Sequence, residues 1–309
     1  MSSRHEIKLK GPVIRPERIP APLFHDLLHI FVEGAQRALR LRVEGRSTAR
    51  GTQPAWMRSA AQFDLLIEPP SEPGVFRVES RPLRQVLPAN LRPGEAPYGL
   101  DLAQTAVDLF EEGLEDALAG ATDSDTFDEG LVETFSAFAR LFEQGVEAIE
   151  IVNGRTIPID TEGVERVIRL RRQIPAPQAV RIAGTLDTIR HSDRVFTLML
   201  ESGAVLKGVA ERLEPTRMAS LFGKQVVVSG MAVFRPSGSV SRIDVEQMQE
   251  ASAQESALWS RLPRPLRVSL DTRSLRVVQD DRSGLNAIYG QWPGDESEEE
   301  LVAALEELS

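Results

Sequence analysis

Apolar residues recur at helical spacing through 22–43, where Phe24, Leu27, Leu28, Phe31, Ala35, Leu39 and Val43 share one stripe. That period predicts an amphipathic helix. Two short apolar runs follow, Phe63 to Ile67 and Val75 to Val78, separated by PPSEPG. They read as strands around a turn. Helical spacing returns at Leu102, Ala106, Leu109, Phe110, Leu114 and Leu118, and again at Leu131, Phe135, Phe138, Leu141, Phe142 and Val146. The intervening GATDSDT supplies capping residues, so the pattern predicts a helical pair. IEIVNGRTIPID then predicts two strands around Asn153-Gly154, a strong hairpin signal. Together these elements predict an N-terminal α+β domain over 1–174, a helix and a helical pair on a small sheet.

Alternation of apolar and polar residues dominates 178–250. It runs through VRIAGTLDTI, VFTLML and AVLKGVA, with turn signals HSD and ESG between them. A short helix, ERLEPTRMASLFG, follows and ends at Gly223. KQVVVSGMAVFRP and SVSRIDVEQM complete the set. The order is three strands, one helix, two strands. Gly184 and Gly230 fall inside strands, where a small barrel must bend. That order and those bends resemble an OB-fold, the five-stranded Greek-key barrel. Residues 251–283 read as a Pro/Arg-rich linker with a short strand pair, and 284–309 as an acidic C-terminal helical tail. The fold class expected is therefore α+β with an OB-like barrel and a tail.

Composition changes this picture in two ways. First, 309 residues with 41% hydrophobic side chains suffice for about two packed domains. The chain has no cysteine, so no disulfide framework, thiolate metal site or cysteine nucleophile is expected. No apolar run reaches membrane-span length, and the N-terminus carries no hydrophobic stretch of a secretory signal. A cytoplasmic protein is the expectation. Second, the net charge of −10 is unevenly placed. Residues 1–60 carry eleven basic and five acidic side chains, whereas 101–150 carry fourteen acids and one base, Arg140. A contact between those two segments inside one domain is expected. The last 26 residues hold seven acids and no base.

Candidate chemistry is sparse. His25 and His29 stand four apart on the first helix, a spacing that suits two ligands on one face, but the flanking motif is not H-E-x-x-H. A helix-interface role is the expectation, and no metal site or cofactor is assigned. His191-Ser192-Asp193 reads as a turn rather than a triad. Neither a Gly-rich phosphate loop nor a G-x-S-x-G elbow is present. No catalytic residue is assigned, and an enzyme is not expected. In the barrel, Arg190, His191 and Arg194 cluster at the first turn while Arg235 and Arg242 flank the last hairpin. These five form a candidate phosphate-contacting rim for nucleic acid. The only aromatic residues on the barrel strands are Phe196 and Phe234, and Phe196 shares its face with Leu198 and Leu200. Stacking platforms are therefore thin.

The tail carries the sharpest pattern. Ile288, Tyr289 and Trp292 surround Gly290 and a Pro293-Gly294 turn, and Asp295 and Glu296 follow. Ser297 and Glu300 have capping-box spacing. Leu301, Leu305 and Leu308 then form an apolar stripe on a predicted helix of about twelve residues, too short to be stable alone. Such a segment suits a partner's groove.

GLNAIYGQWPGDESEEELVAALEELS resembles the C-terminal tails of bacterial antitoxin-like proteins that accompany PIN-domain ribonuclease toxins. Those tails carry a similar aromatic-Gly-x-Trp-Pro-Gly-Asp-Glu turn before an acidic helix. The resemblance covers 26 residues. It implies a toxin–antitoxin role, with Tyr289, Trp292, Pro293, Asp295, Glu296, Leu301 and Leu305 contacting the toxin; Ile288 and Leu308 join these candidate partner-binding residues from the tail's own apolar pattern. Many such tails also insert an arginine toward the toxin's carboxylates. This one has none after Arg282. The acidity of the tail then points to occlusion of a basic RNA-entry surface, in competition with phosphates, rather than to active-site plugging. The alternative reading is an OB-fold nucleic-acid-binding protein whose acidic tail masks its own groove.

Overall fold

The first strand, β1 (Ser3–Lys10), sets the register of the N-terminal sheet. Alternation puts His5, Ile7 and Leu9 on the buried face and Arg4, Glu6 and Lys8 on the other. In this computed structural model the described residues are 3–15, 18–49, 53–66, 73–88, 100–190 and 195–266, with the side chain of Arg190 excepted. All lie in one compact unit, Met1–Ser269.

β1 is central in a five-stranded antiparallel sheet. It pairs on one side with β3 (Val75–Ser80), which pairs with β2 (Phe63–Leu66). On the other side lies the hairpin of β4 (Ala148–Val152) and β5 (Thr156–Ile159). The hairpin turns at Gly154, whose φ of 66° favours a residue without Cβ. The expected hairpin is thus present and extends the same sheet.

Helices cover the buried face. α1 (Ala21–Glu44) buries Leu23, Leu27, Ile30, Phe31, Ala35 and Leu39. It ends on Gly45 in the left-handed conformation, whose N–H donates to Leu41 O. Two very short helices, α2 (Ala55–Ala60) and α3 (Leu83–Val86), flank the sheet's edge segments. α4 (Ala106–Ala119) starts with a capping box between Thr105 and Asp108. Phe31 of α1 and Phe110 of α4 meet with ring centroids 5.1 Å apart. Such an aromatic pair contributes about 0.5–1.5 kcal/mol beyond its area burial.

The second helix of the expected pair is broken into α5 (Glu129–Ser136) and α6 (Ala139–Glu143). Thr134 and Ser136 donate their hydroxyls to Gly130 O and Val132 O. That back-bonding bends helices, and the backbone between the two pieces tightens to i→i+3 bonds such as Phe138 N to Phe135 O. α7 (Thr161–Gln173), left unassigned by the sequence analysis, is capped by Asp160, which accepts from Gly163 N.

The second core lies inside a closed five-stranded barrel. Its strands are β6 (Gln178–Arg190), β7 (Val195–Met199), β8 (Val205–Val209), β9 (Gln225–Phe234) and β10 (Val240–Glu250), ordered β10-β8-β7-β6-β9. All pairings are antiparallel except β8 with β10. α8 (Pro215–Ser220) connects β8 to β9. Phe196, Leu198, Leu200, Leu206, Val226, Val228 and Ile243 fill the interior. Gly230 sits where β10 crosses most closely, since a Cβ there would lie 2.2 Å from Asp244 O. After the barrel, α9 (Ala253–Trp259) is capped by Ser252, and Arg181 of β6 stacks over the Trp259 ring.

Candidate functional site

The acidic segment between α4 and α5 is built before it meets the barrel. Asp116 accepts from the hydroxyls of Ser124 and Thr126, and Phe127 is buried beneath them. The segment 122–128 then presents three aspartates to the barrel. Asp123 accepts from the hydroxyls of Ser237 and Ser239 in the β9–β10 turn. Its carboxyl is held below the ordinary 3.8, chiefly by those two hydroxyls, with the Arg235 guanidinium adding to them. Asp125 pairs with Lys207 at 3.6 Å. Asp128 pairs with Arg242 at 3.7 Å while also capping α5. Backbone bonds join the same surfaces, with Ser237 N donating to Thr122 O and Arg235 Nε to Ser124 O. Arg46, just past α1, pairs with Glu211 after β8.

Of the proposed nucleic-acid rim, Arg235 and Arg242 are therefore engaged by the chain's own carboxylates and carbonyls. Arg242 also donates to Asp244 at 2.9 Å. The side chain of Arg190, together with His191 and Arg194, lies outside the described residues, as does the turn reading of His191-Ser192-Asp193. Ile288, Tyr289, Trp292, Pro293, Asp295, Glu296, Leu301, Leu305 and Leu308 also lie outside them.

His25 and His29 are not in a helix interface. Both rings face outward from α1, with side chains 73% and 59% exposed, and their neighbours are Asp26 and Glu33. The helix is rotated so that Leu23, Leu27 and Ile30 take the core. The expected contact of the basic N-terminal segment with 101–150 is present, as Arg42 reaches Glu112 at 3.0 Å and Arg37 reaches Glu133 at 3.5 Å.

A second cluster was not anticipated. His5 of β1 is 1% exposed and faces Asp108 and Glu111 of α4. Nδ1 of His5 donates to Glu111 Oε1 at 2.6 Å. Asn153, at the β4–β5 turn, donates to Asp108 Oδ1 at 2.7 Å and reaches Glu111 Oε2 at 3.5 Å. Nε2 of His5 is buried without a hydrogen-bond partner. A polar cleft of about 330 Å³ opens over Asp108, Glu111 and Asn153, with Ser3, Gln104 and Arg155 on its walls. Asp108 and Glu111 are three apart and so share a helix face. That spacing was the available signal, but it only acquires meaning once β1 is laid across the helix. No protein-family model, curated protein or solved structure matches this chain.

Proposed function

We propose that this is a non-enzymatic interaction protein of the antitoxin or immunity kind, which binds and restrains a PIN-type ribonuclease through its C-terminal tail. The 178–250 barrel is an OB-like scaffold in this reading. The closed five-stranded order, with β8 and β10 parallel and a helix before the fourth strand, supports that reading. Fold alone does not assign binding.

The observation that favours protein capture over nucleic-acid binding is the engagement of Arg235, Lys207 and Arg242 by Asp123, Asp125 and Asp128. Cations already matched by carboxylates release few counterions when phosphate approaches, so they add little to nucleic-acid affinity. The acidic tail, with Trp292 and the Leu301, Leu305 and Leu308 stripe, then supplies the recognition segment. Acidic occlusion of a basic RNA-entry surface is the mode of restraint.

Titration of the full chain and of residues 1–283 with labelled single-stranded RNA and DNA at low salt tests this reading. Flat curves for both are expected. Tight binding that strengthens when 284–309 is removed would establish the self-masking alternative instead.

A further inference from the structure

We propose that His5 and Asp108 bind a divalent cation, Zn2+ by their chemistry, with Glu111 as the positioning residue. The donor set is one imidazole nitrogen and carboxylate oxygens, without thiolate. Imidazole with carboxylate suits zinc among the common divalent ions. One donor atom from each of His5, Asp108 and Glu111 lies within 4.8 Å of the others. The two carboxylate charges match a dication.

Three observations point to a metal rather than to a closed hydrogen-bond network. Nε2 of His5 is fully buried with no partner, which costs free energy unless a ligand satisfies it. Its nearest anionic atom, Asp108 Oδ1, is 3.8 Å away, too far for a direct hydrogen bond. Tetrahedral zinc spans its nitrogen and oxygen ligands by about 3.3 Å, so closure of roughly half an ångström brings both into the coordination shell. Finally, Nδ1 of the same ring is held by Glu111 at 2.6 Å. That carboxylate–histidine arrangement directs the other nitrogen at a metal and raises its basicity. Asn153 fixes the Asp108 carboxylate from the other side. The adjoining polar cleft, lined by Asp108, Glu111 and Asn153, gives the ion an entry path, and water from it would complete the coordination shell. The site ties β1 to α4, and it is independent of the tail.

The test uses the full chain, stripped with chelator and titrated with Zn2+ by calorimetry, alongside D108N and E111Q. One equivalent is expected, weakened at least tenfold in D108N and about 10–100-fold in E111Q, the range for lost outer-shell partners. X-ray absorption of the zinc-loaded wild type guards against variants that fail to fold, and imidazole scattering is expected in it. No binding by the wild type, affinity unchanged in both variants, or a zinc shell without imidazole would each overturn the proposal.

Discussion

His5 occupies a position that strand alternation reserves for the core, beside Ile7 and Leu9 on the inner face of β1. An imidazole there must be matched, and Glu111 matches only one of its nitrogens. This site is illegible in the sequence because His5 and Asp108 stand 103 positions apart and because Glu111 is one of fourteen acids in 101–150. Seven of the fourteen are exposed and six half-buried; Glu111 alone is buried, at 2% exposed. At the same scale, Gly230 was legible as a bend, and its physical reason is the 2.2 Å approach of Asp244 O to the space of a Cβ. Gly230→Ala is expected to destabilise the protein by about 1–3 kcal/mol through forced backbone shifts. Urea denaturation reads this as a lower midpoint with an unchanged slope. A midpoint equal to wild type would mean that β10 does not cross β9 as described.

Elements were legible where one period ran without interruption. The five barrel strands follow their alternation closely, because a closed barrel buries one face of every strand. α1 was also readable, but its rotation was not: Phe24 and Leu28 are only half-buried, while Leu23 and Ile30 take the core positions. The split of α5 from α6 is not legible in the sequence because the apolar spacing continues across it. Only the hydroxyl back-bonds of Thr134 and Ser136 mark the break. GATDSDT reads only as capping residues between helices, and the docking of 122–128 on the barrel emerges in three dimensions. Since the Asp123 carboxyl is held below its ordinary 3.8, its ionised form stabilises that docking. The contribution is complete above about pH 4 and fades as pH falls through the lowered value. Asp123→Asn removes it at neutral pH. Comparative acid unfolding should show wild type and D123N differing at pH 7 and the difference shrinking as pH falls below 3.8; parallel curves throughout would contradict that linkage.

At the scale of the whole molecule, two separate cores are joined by ion pairs that the chain supplies to itself. The opposed charges of 1–60 and 101–150 meet at pairs such as Arg42 with Glu112, and Asp123, Asp125 and Asp128 of that block face the barrel's cations. Among the described residues no helix is long and apolar enough to cross a membrane. In the proposed function, the seven acids of 284–309, a segment with no base, are the feature addressed to another molecule. The most direct measurement of the proposed function is RNA cleavage by a PIN-type ribonuclease toxin, assayed with the full chain, with Trp292→Ala and with Leu305→Asp. The full chain should suppress cleavage, and each substitution should weaken suppression by tenfold or more, as loss of a central anchor does. Suppression that persists undiminished in both variants, or no suppression by the full chain, would contradict capture through the tail.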